Sequence, residues 1–319
     1  MAIGGSARRR TARALAGLAA LCFAAALVTV AAAPVRRTSL DDPQRARGMV
    51  KLSNGLAVGY IDVGPRDGRP VVLIHGLTDN VRSWLPLVPH LDPRLRLILV
   101  DLRGHGRSAK PECCYTRFDF AYDVKLLLDT LRVDAADVIG HSVGSIVAQT
   151  VAELWPERVR RVVLISSTGG AAPGCGPAAG ERPFDWSKFR LSVLEQHQPL
   201  EPDSPFMRNW YASPGAVDAD FLRNMRREAA SVPLYVWLGV VDQTLTGVDL
   251  QPMLPLLRAP TLLIWGGKDE IFGSADHCSL HLGLPQARVE ILANLGHNPF
   301  WEAPQTVATL VNEFLLGAP

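Results

Sequence analysis

Gly140-His141-Ser142-Val143-Gly144 stands directly after an apolar run ending at Ile139 and directly before a helix-like segment, Ser145 to Leu154. A tight turn from strand to helix holds its central residue in a strained conformation, which lifts the Ser142 hydroxyl above the strand end. Glycines two positions to either side let the strand and helix backbones pass closely. The pentapeptide alone is a weak signal; the strand before it and the helix after it make the signal strong.

Similar apolar runs recur at Val71 to Ile74, Leu97 to Val100, Val138-Ile139, Val162 to Ile165, Leu262 to Trp265 and Val289 to Leu292. Mostly continuous apolar runs of this length are expected of strands buried on both faces. Helix-like segments at Phe118 to Leu131, Ser145 to Leu154 and Thr306 to Leu316 alternate with them. That alternation predicts an α/β fold with a mostly parallel sheet flanked by helices. Ahead of it, Met49 to Ser53 and Leu56 to Val63 are β-like runs separated by Asn54-Gly55, a hairpin turn signal. The alternation breaks once, between Ser167 and Pro260, where a Gly/Pro/Ala-rich stretch leads into short helix-like segments rich in aromatic residues. The expected organisation is therefore a core of residues 49–168 and 259–319 with a helical cap, residues 169–258, inserted between strands.

A serine hydroxyl is a poor nucleophile at neutral pH and needs a base within reach and a group to orient that base. His297, in Leu295-Gly296-His297-Asn298-Pro299, follows one strand-like run; Asp269, in Gly266-Gly267-Lys268-Asp269, follows another. Both fall at strand C-terminal ends, the edge where open α/β sheets bind their ligands. Glu270 or Asp242 are alternative carboxylates. Acyl transfer also needs donors for a developing oxyanion, and two backbone N–H groups are candidates: Val143, opening the helix, and Leu77, in His75-Gly76-Leu77-Thr78. Loss of one such donor costs about 3 kcal/mol in the barrier.

These motifs together resemble the α/β-hydrolase superfamily from about Val50 to Leu316. The order Ser142, Asp269, His297 is that of the fold, the His75-Gly76 turn resembles its oxyanion loop, and Asp101-Leu102-Arg103-Gly104-His105-Gly106-Arg107-Ser108 resembles its turn after a strand. The resemblance implies a serine hydrolase with an acyl-enzyme intermediate, taking a small-molecule acyl substrate such as a carboxylic ester and requiring neither metal nor organic cofactor. Serine at position 142 speaks against the branches of the superfamily that use an aspartate nucleophile. Lactonase, amidase and cofactor-free perhydrolase chemistry would use the same triad, and a ligand-binding member without turnover is the alternative outside catalysis.

Several other residues are expected to be structural. Arg103 and His105 suit a turn tied together by a guanidinium fork. His277 and His281 are spaced as ligands on one helix face could be, but no acidic third ligand is evident. The aromatics of the insertion suit its own core, while Trp84 and His141 lie nearer the expected pocket.

The 319-residue chain carries a formal net charge of +2, to which Arg8, Arg9, Arg10 and Arg13 contribute, so nothing in the rest provides the concentrated basic surface that nucleic acid requires. Those arginines precede a run from Ala14 to Ala33 that is apolar apart from Gly17 and Thr29. Residues 1–33 thus read as a signal peptide or, at about twenty apolar residues, an uncleaved N-terminal membrane anchor, and the protein as exported. Residues 34–48 read as a flexible tether. In an oxidising compartment Cys113, Cys114, Cys175 and Cys278 can pair; adjacent cysteines bridge only with strain, so one of Cys113 and Cys114 is expected to pair elsewhere, for example with Cys175.

Overall fold

A computed structural model of the protein describes residues 47–247 and 249–317. Residues 1–33, read from sequence as a signal peptide or anchor, and most of residues 34–48, read as a tether, lie outside the described residues; residues 47 and 48 already belong to the first strand. Among the described residues one sheet contains eight strands: β1 (Arg47–Lys51), β2 (Ala57–Val63), β3 (Arg69–Ile74), β4 (Leu95–Val100), β5 (Ala136–His141), β6 (Val159–Ile165), β7 (Thr261–Gly266) and β8 (Arg288–Leu292). They lie in the order β1-β2-β4-β3-β5-β6-β7-β8. β1 and β2 form the expected hairpin around Gly55, whose φ of +90° suits glycine. β2 is antiparallel to β4, and the pairs from β4 through β8 are parallel.

β4, β5 and β7 are buried along their whole length; their apolar stretches account for most of this, and the buried charges Arg96 and Asp137 are paired with Asp62 and Arg69. Each such Val, Leu or Ile side chain taken out of water contributes ~1.5–3 kcal/mol. β8 departs from the expectation. It is the outermost strand, and Val289 and Ile291 on one of its faces are exposed. Its place at the edge of the sheet, with no strand beyond it, leaves these apolar residues uncovered, whereas Glu290 and Leu292 are partly buried.

Helix α1 (Arg117–Thr130) opens with a capping box in which Thr116 and Asp119 satisfy each other's backbone amides. Helix α2 (Val143–Leu154) is buried on nearly every side, packed between α1 and strands β5 and β6. Arg117 Nη1 donates to Glu153 Oε2 at 2.8 Å, a buried ion pair joining α1 to α2. Between β6 and β7 runs a helical insertion: α3 (Trp186–Leu194), α4 (Pro205–Trp210), α5 (Ala219–Ala230) and α6 (Leu234–Val240), followed by a π-type turn, Val241–Leu245. Asp185, Ser204 and Asp218 each cap the helix that follows by accepting a backbone N–H. Most of the aromatics of the insertion pack on one another, with Phe189 stacked on Trp210 at 4.4 Å and Trp237 fully buried. After β7 come α7 (Ser274–Gly283), α8 (Pro299–Glu302) and α9 (Pro304–Leu316).

The cysteine pairing differs from the expectation: Cys175 is bonded to Cys278, and Cys113 and Cys114 are free and exposed. Strand order explains the outcome. β6 neighbours β7, so the loop after β6 that carries Cys175 meets α7, which follows β7 and carries Cys278. Cys113 and Cys114 follow β4, three places away from β6 in the sheet. No helix among the described residues is long and apolar enough to cross a membrane.

Candidate active site

Ser142 sits between β5 and α2 at φ +53° and ψ −123°. An L-residue is strained there, and the surroundings hold it in place. The Ser142 amide donates to Ile165 O at 3.0 Å, and its carbonyl accepts from the Ser145 amide at 2.8 Å. From beneath, Gln149 Nε2 donates to Ser167 Oγ at 2.9 Å, Ser167 Oγ lies 2.7 Å from Ser145 Oγ, and Ser145 Oγ donates to Ser142 O at 2.5 Å. Each hydroxyl in this relay can both donate and accept, so a buried polar row braces the turn, although Gln149 Oε1 is buried without a partner. The flanking glycines are required by space: a Cβ on Gly140 would lie 2.2 Å from Gly144 O, and one on Gly144 would lie 2.1 Å from Ile74 O.

Asp269 and His297 meet across the loops after β7 and β8. Backbone bonds zip these loops together, Gly267 N to Leu292 O at 2.9 Å and Lys268 N to Leu295 O at 2.8 Å. His297 Nδ1 lies 2.9 Å from both Asp269 oxygens, and the carboxylate has no exposed surface. Asp269 Oδ1 also accepts from the Ile271 and Phe272 amides at 2.9 and 3.0 Å. Burial alone would raise the pKa of Asp269, but the charge and hydrogen bond of His297 and the two amides outweigh it and hold the group below its ordinary value. An ionised carboxylate only accepts, so His297 Nδ1 carries the proton and Nε2 is left as the basic nitrogen. Of the alternative carboxylates, Asp242 pairs with Arg190 on the insertion and Glu270 is exposed.

The His297 loop is tied to the Ser142 turn through a residue the sequence had placed only near the pocket. His141 Nε2–H donates to His297 O at 2.9 Å, and the two rings lie 4.9 Å apart. Burial pushes the pKa of His141 down to about 3, so it is a neutral brace. Trp84, by contrast, belongs to the core, stacked on Phe300 at 4.6 Å and fully buried.

The loop after β3 packs directly on the turn. A Cβ on Gly76 would sit 3.1 Å from both Ser142 Cβ and His141 Nδ1, which puts the Gly76-Leu77 backbone against Ser142. Val143 is the first residue of α2, and first-turn amides have no acceptor within their helix. His75 anchors the loop: Nδ1–H donates to Gly76 O at 2.8 Å and Nε2 accepts from Leu102 N at 3.0 Å. Burial lowers its pKa to about 4. Arg103 is structural, bonded to Asp123 and to Cys114 O, and His105 Nδ1–H donates to Arg103 O. His277 packs against Trp265, the rings 4.3 Å apart and tilted by 36°, while His281 is exposed.

A cavity of about 540 Å³ is lined among others by Ile146, Thr168, Phe184, Trp186, Phe272 and Asp276; Ser142, Asp269 and His297 are not part of its wall. Phe272 connects the two regions, its ring 5.7 Å from that of His297. Three further residues near the site carried no local sequence signal. Thr78, Asp79 and Tyr211 are buried together where the loop after β3 meets the insertion.

Residues 69–304 match the family described as alpha/beta hydrolase fold. The chain is 31% identical to the dihydrolipoyllysine-residue acetyltransferase component of an acetoin cleaving system from Pseudomonas putida, a match covering 82% of this chain and 67% of the relative. Among solved structures it resembles an esterase from Rhodococcus sp. ECU1013, with a TM-score of 0.71 and 22% identity over 86% of this chain and all of that one (100%). It also resembles the enol-lactonase from Burkholderia xenovorans LB400, with a TM-score of 0.69 and 22% identity over 84% of this chain and 100% of the other. At these identities the structural likenesses establish the fold.

Proposed function

The chain belongs to the alpha/beta hydrolase family, and from that premise we propose that it is a serine hydrolase that cleaves a carboxylic ester through an acyl-serine intermediate. The observation that carries this reading is the buried Asp269–His297 pair, one hydrogen bond from the residue that precedes Ser142. His297 Nε2 takes the Ser142 proton as the hydroxyl attacks the acyl carbonyl, and Asp269 fixes the tautomer and stabilises the imidazolium. The Leu77 and Val143 amides stabilise the oxyanion. The alcohol leaves with the proton held by His297, and water activated by the same nitrogen releases the acid. An esterase and an enol-lactonase share the fold, and an oxygen ester is the bond this reading assigns. We place the acyl or alcohol portion of the substrate in the aromatic-walled cavity, covered by the helical insertion acting as a cap. The Cys175–Cys278 disulfide supports export, with residues 1–33 as a signal peptide or an uncleaved membrane anchor.

The test follows p-nitrophenyl esters of increasing acyl length and labelling by a fluorophosphonate, comparing the native chain with Ser142→Ala. Turnover and label that both vanish in the variant support the proposal. A folded native chain that neither labels nor turns over any ester refutes it.

A further inference from the structure

Thr78 follows the proposed oxyanion donor Leu77 and adopts φ +67°. The Asp79 amide donates to Gly76 O at 3.3 Å, closing a turn around Leu77 and Thr78. Thr78 therefore occupies a turn corner ordinarily given to glycine, in a backbone region that β-branched residues avoid. Its side chain is held from the insertion. Trp210 Nε1–H donates to Thr78 Oγ1 at 2.9 Å, Thr78 Oγ1 lies 3.0 Å from the Tyr211 hydroxyl, and that hydroxyl donates to Asp79 Oδ1 at 3.1 Å. The proton of Tyr211 goes to the carboxyl, so the Thr78 proton points to the Tyr211 oxygen. Indole N–H, threonine O–H, tyrosine O–H and carboxyl thus form one directional chain, with Thr78, Tyr211 and Asp79 all buried. Nothing in the proposed chemistry uses these groups directly, yet the chain ends on the loop that carries Leu77.

We propose that Trp210 and Tyr211 are positioning residues for the oxyanion hole: by occupying the Thr78 hydroxyl they keep Thr78 in its left-handed conformation and so hold the aim of the Leu77 N–H. This inference rests on the serine hydrolase reading and on Leu77 as a donor. An aromatic pair 132 to 133 residues away in the chain thereby completes a site that the loop after β3 cannot hold by itself.

The experiment compares, in the full chain, hydrolysis of a p-nitrophenyl ester with that of the matching thionoester, whose sulfur fits an oxyanion hole poorly. The ratio of the two kcat/KM values is independent of how much of a variant is folded. Tyr211→Phe and Thr78→Val each lower the ester kcat about tenfold, leave KM within about twofold, and shrink the ester-over-thionoester preference by about tenfold. Thr78→Gly keeps that preference within about threefold, because glycine accepts positive φ without a clamp, and adding Tyr211→Phe to it changes the ratio by less than about twofold. The proposal is overturned if Tyr211→Phe leaves the ratio unchanged while Ser142 still labels, or if Thr78→Gly loses the preference as fully as Thr78→Val. A native chain with neither turnover nor label is the separate failure of the serine hydrolase reading, and removes this inference with it.

Discussion

Asp269→Asn separates the chemistry of the carboxylate from its place in the packing. Oδ1 accepts two backbone N–H groups, from Ile271 and Phe272. An asparagine must put its carbonyl oxygen there, since an amide nitrogen facing two donors would lose both bonds. Its NH2 group then takes the Oδ2 position, 2.9 Å from His297 Nδ1, and donates to it. The imidazole proton moves to Nε2 and Ser142 is left without a base. The charge that stabilises the imidazolium is lost as well. Together these lower kcat by about 10⁴, or ~5.5 kcal/mol, with little change in KM. Because both amide bonds survive, the stability of the variant falls by only ~1–2 kcal/mol. Asp269→Ala strands the two amides and costs ~2–6 kcal/mol, at ~1–3 kcal/mol for each. A second consequence concerns pH. The Asp269 pKa is depressed in the folded protein, so its contribution to stability is present above the ordinary value of 3.8 and is lost as pH falls through the lower folded value. Asp269→Asn therefore flattens the acid limb of the stability profile. The assay is kcat on a p-nitrophenyl ester, normalised to the concentration of folded protein, with urea unfolding of the same samples. An asparagine variant that keeps more than about 1% of native kcat, or that is as unstable as the alanine variant, refutes the tautomer argument.

Two further outcomes follow from features away from the triad. The Cys175–Cys278 bond closes a loop across a sequence separation of 103 residues. The chain-entropy relation then gives a loss of ~4–5 kcal/mol for Cys278→Ser, and a change below about 1 kcal/mol in urea unfolding would contradict it. Burial pushes the Asp79 pKa up from 3.8 to about 7, so the protonated form favours the fold and this contribution declines as pH rises between those values. Asp79→Asn does not titrate and gains stability relative to the native chain from pH 4 to pH 8, by on the order of 4 kcal/mol at most. Parallel pH profiles for the two proteins would remove the argument.

The core and the nucleophile turn were legible because each rests on local pattern. Apolar runs mark β3 to β7, and the glycines around Ser142 are demanded by contacts within a few residues or with the neighbouring strand. Asp269 and His297 were legible as positions at strand ends. That Asp269, and not Glu270 or Asp242, meets the imidazole depends on how the loops after β7 and β8 zip together. The exposure of β8 follows from its place at the sheet edge, which composition does not encode. The disulfide and the Thr78–Tyr211 contact depend on how segments a hundred or more residues apart pack on one another, and no spacing rule reaches that far.

The insertion lies wholly within one β6-to-β7 crossover, between strands that are neighbours in the sheet. Its entry and exit are thus fixed whatever lies between them, which makes it a unit that a lineage or an engineer can exchange while the loops carrying Ser142, Asp269 and His297 stay put. The contact with Thr78 sets a condition on that exchange. A replacement segment that brings its own Trp-Tyr pair can be grafted directly, and one that lacks it calls for glycine at position 78, so the two regions are expected to change together.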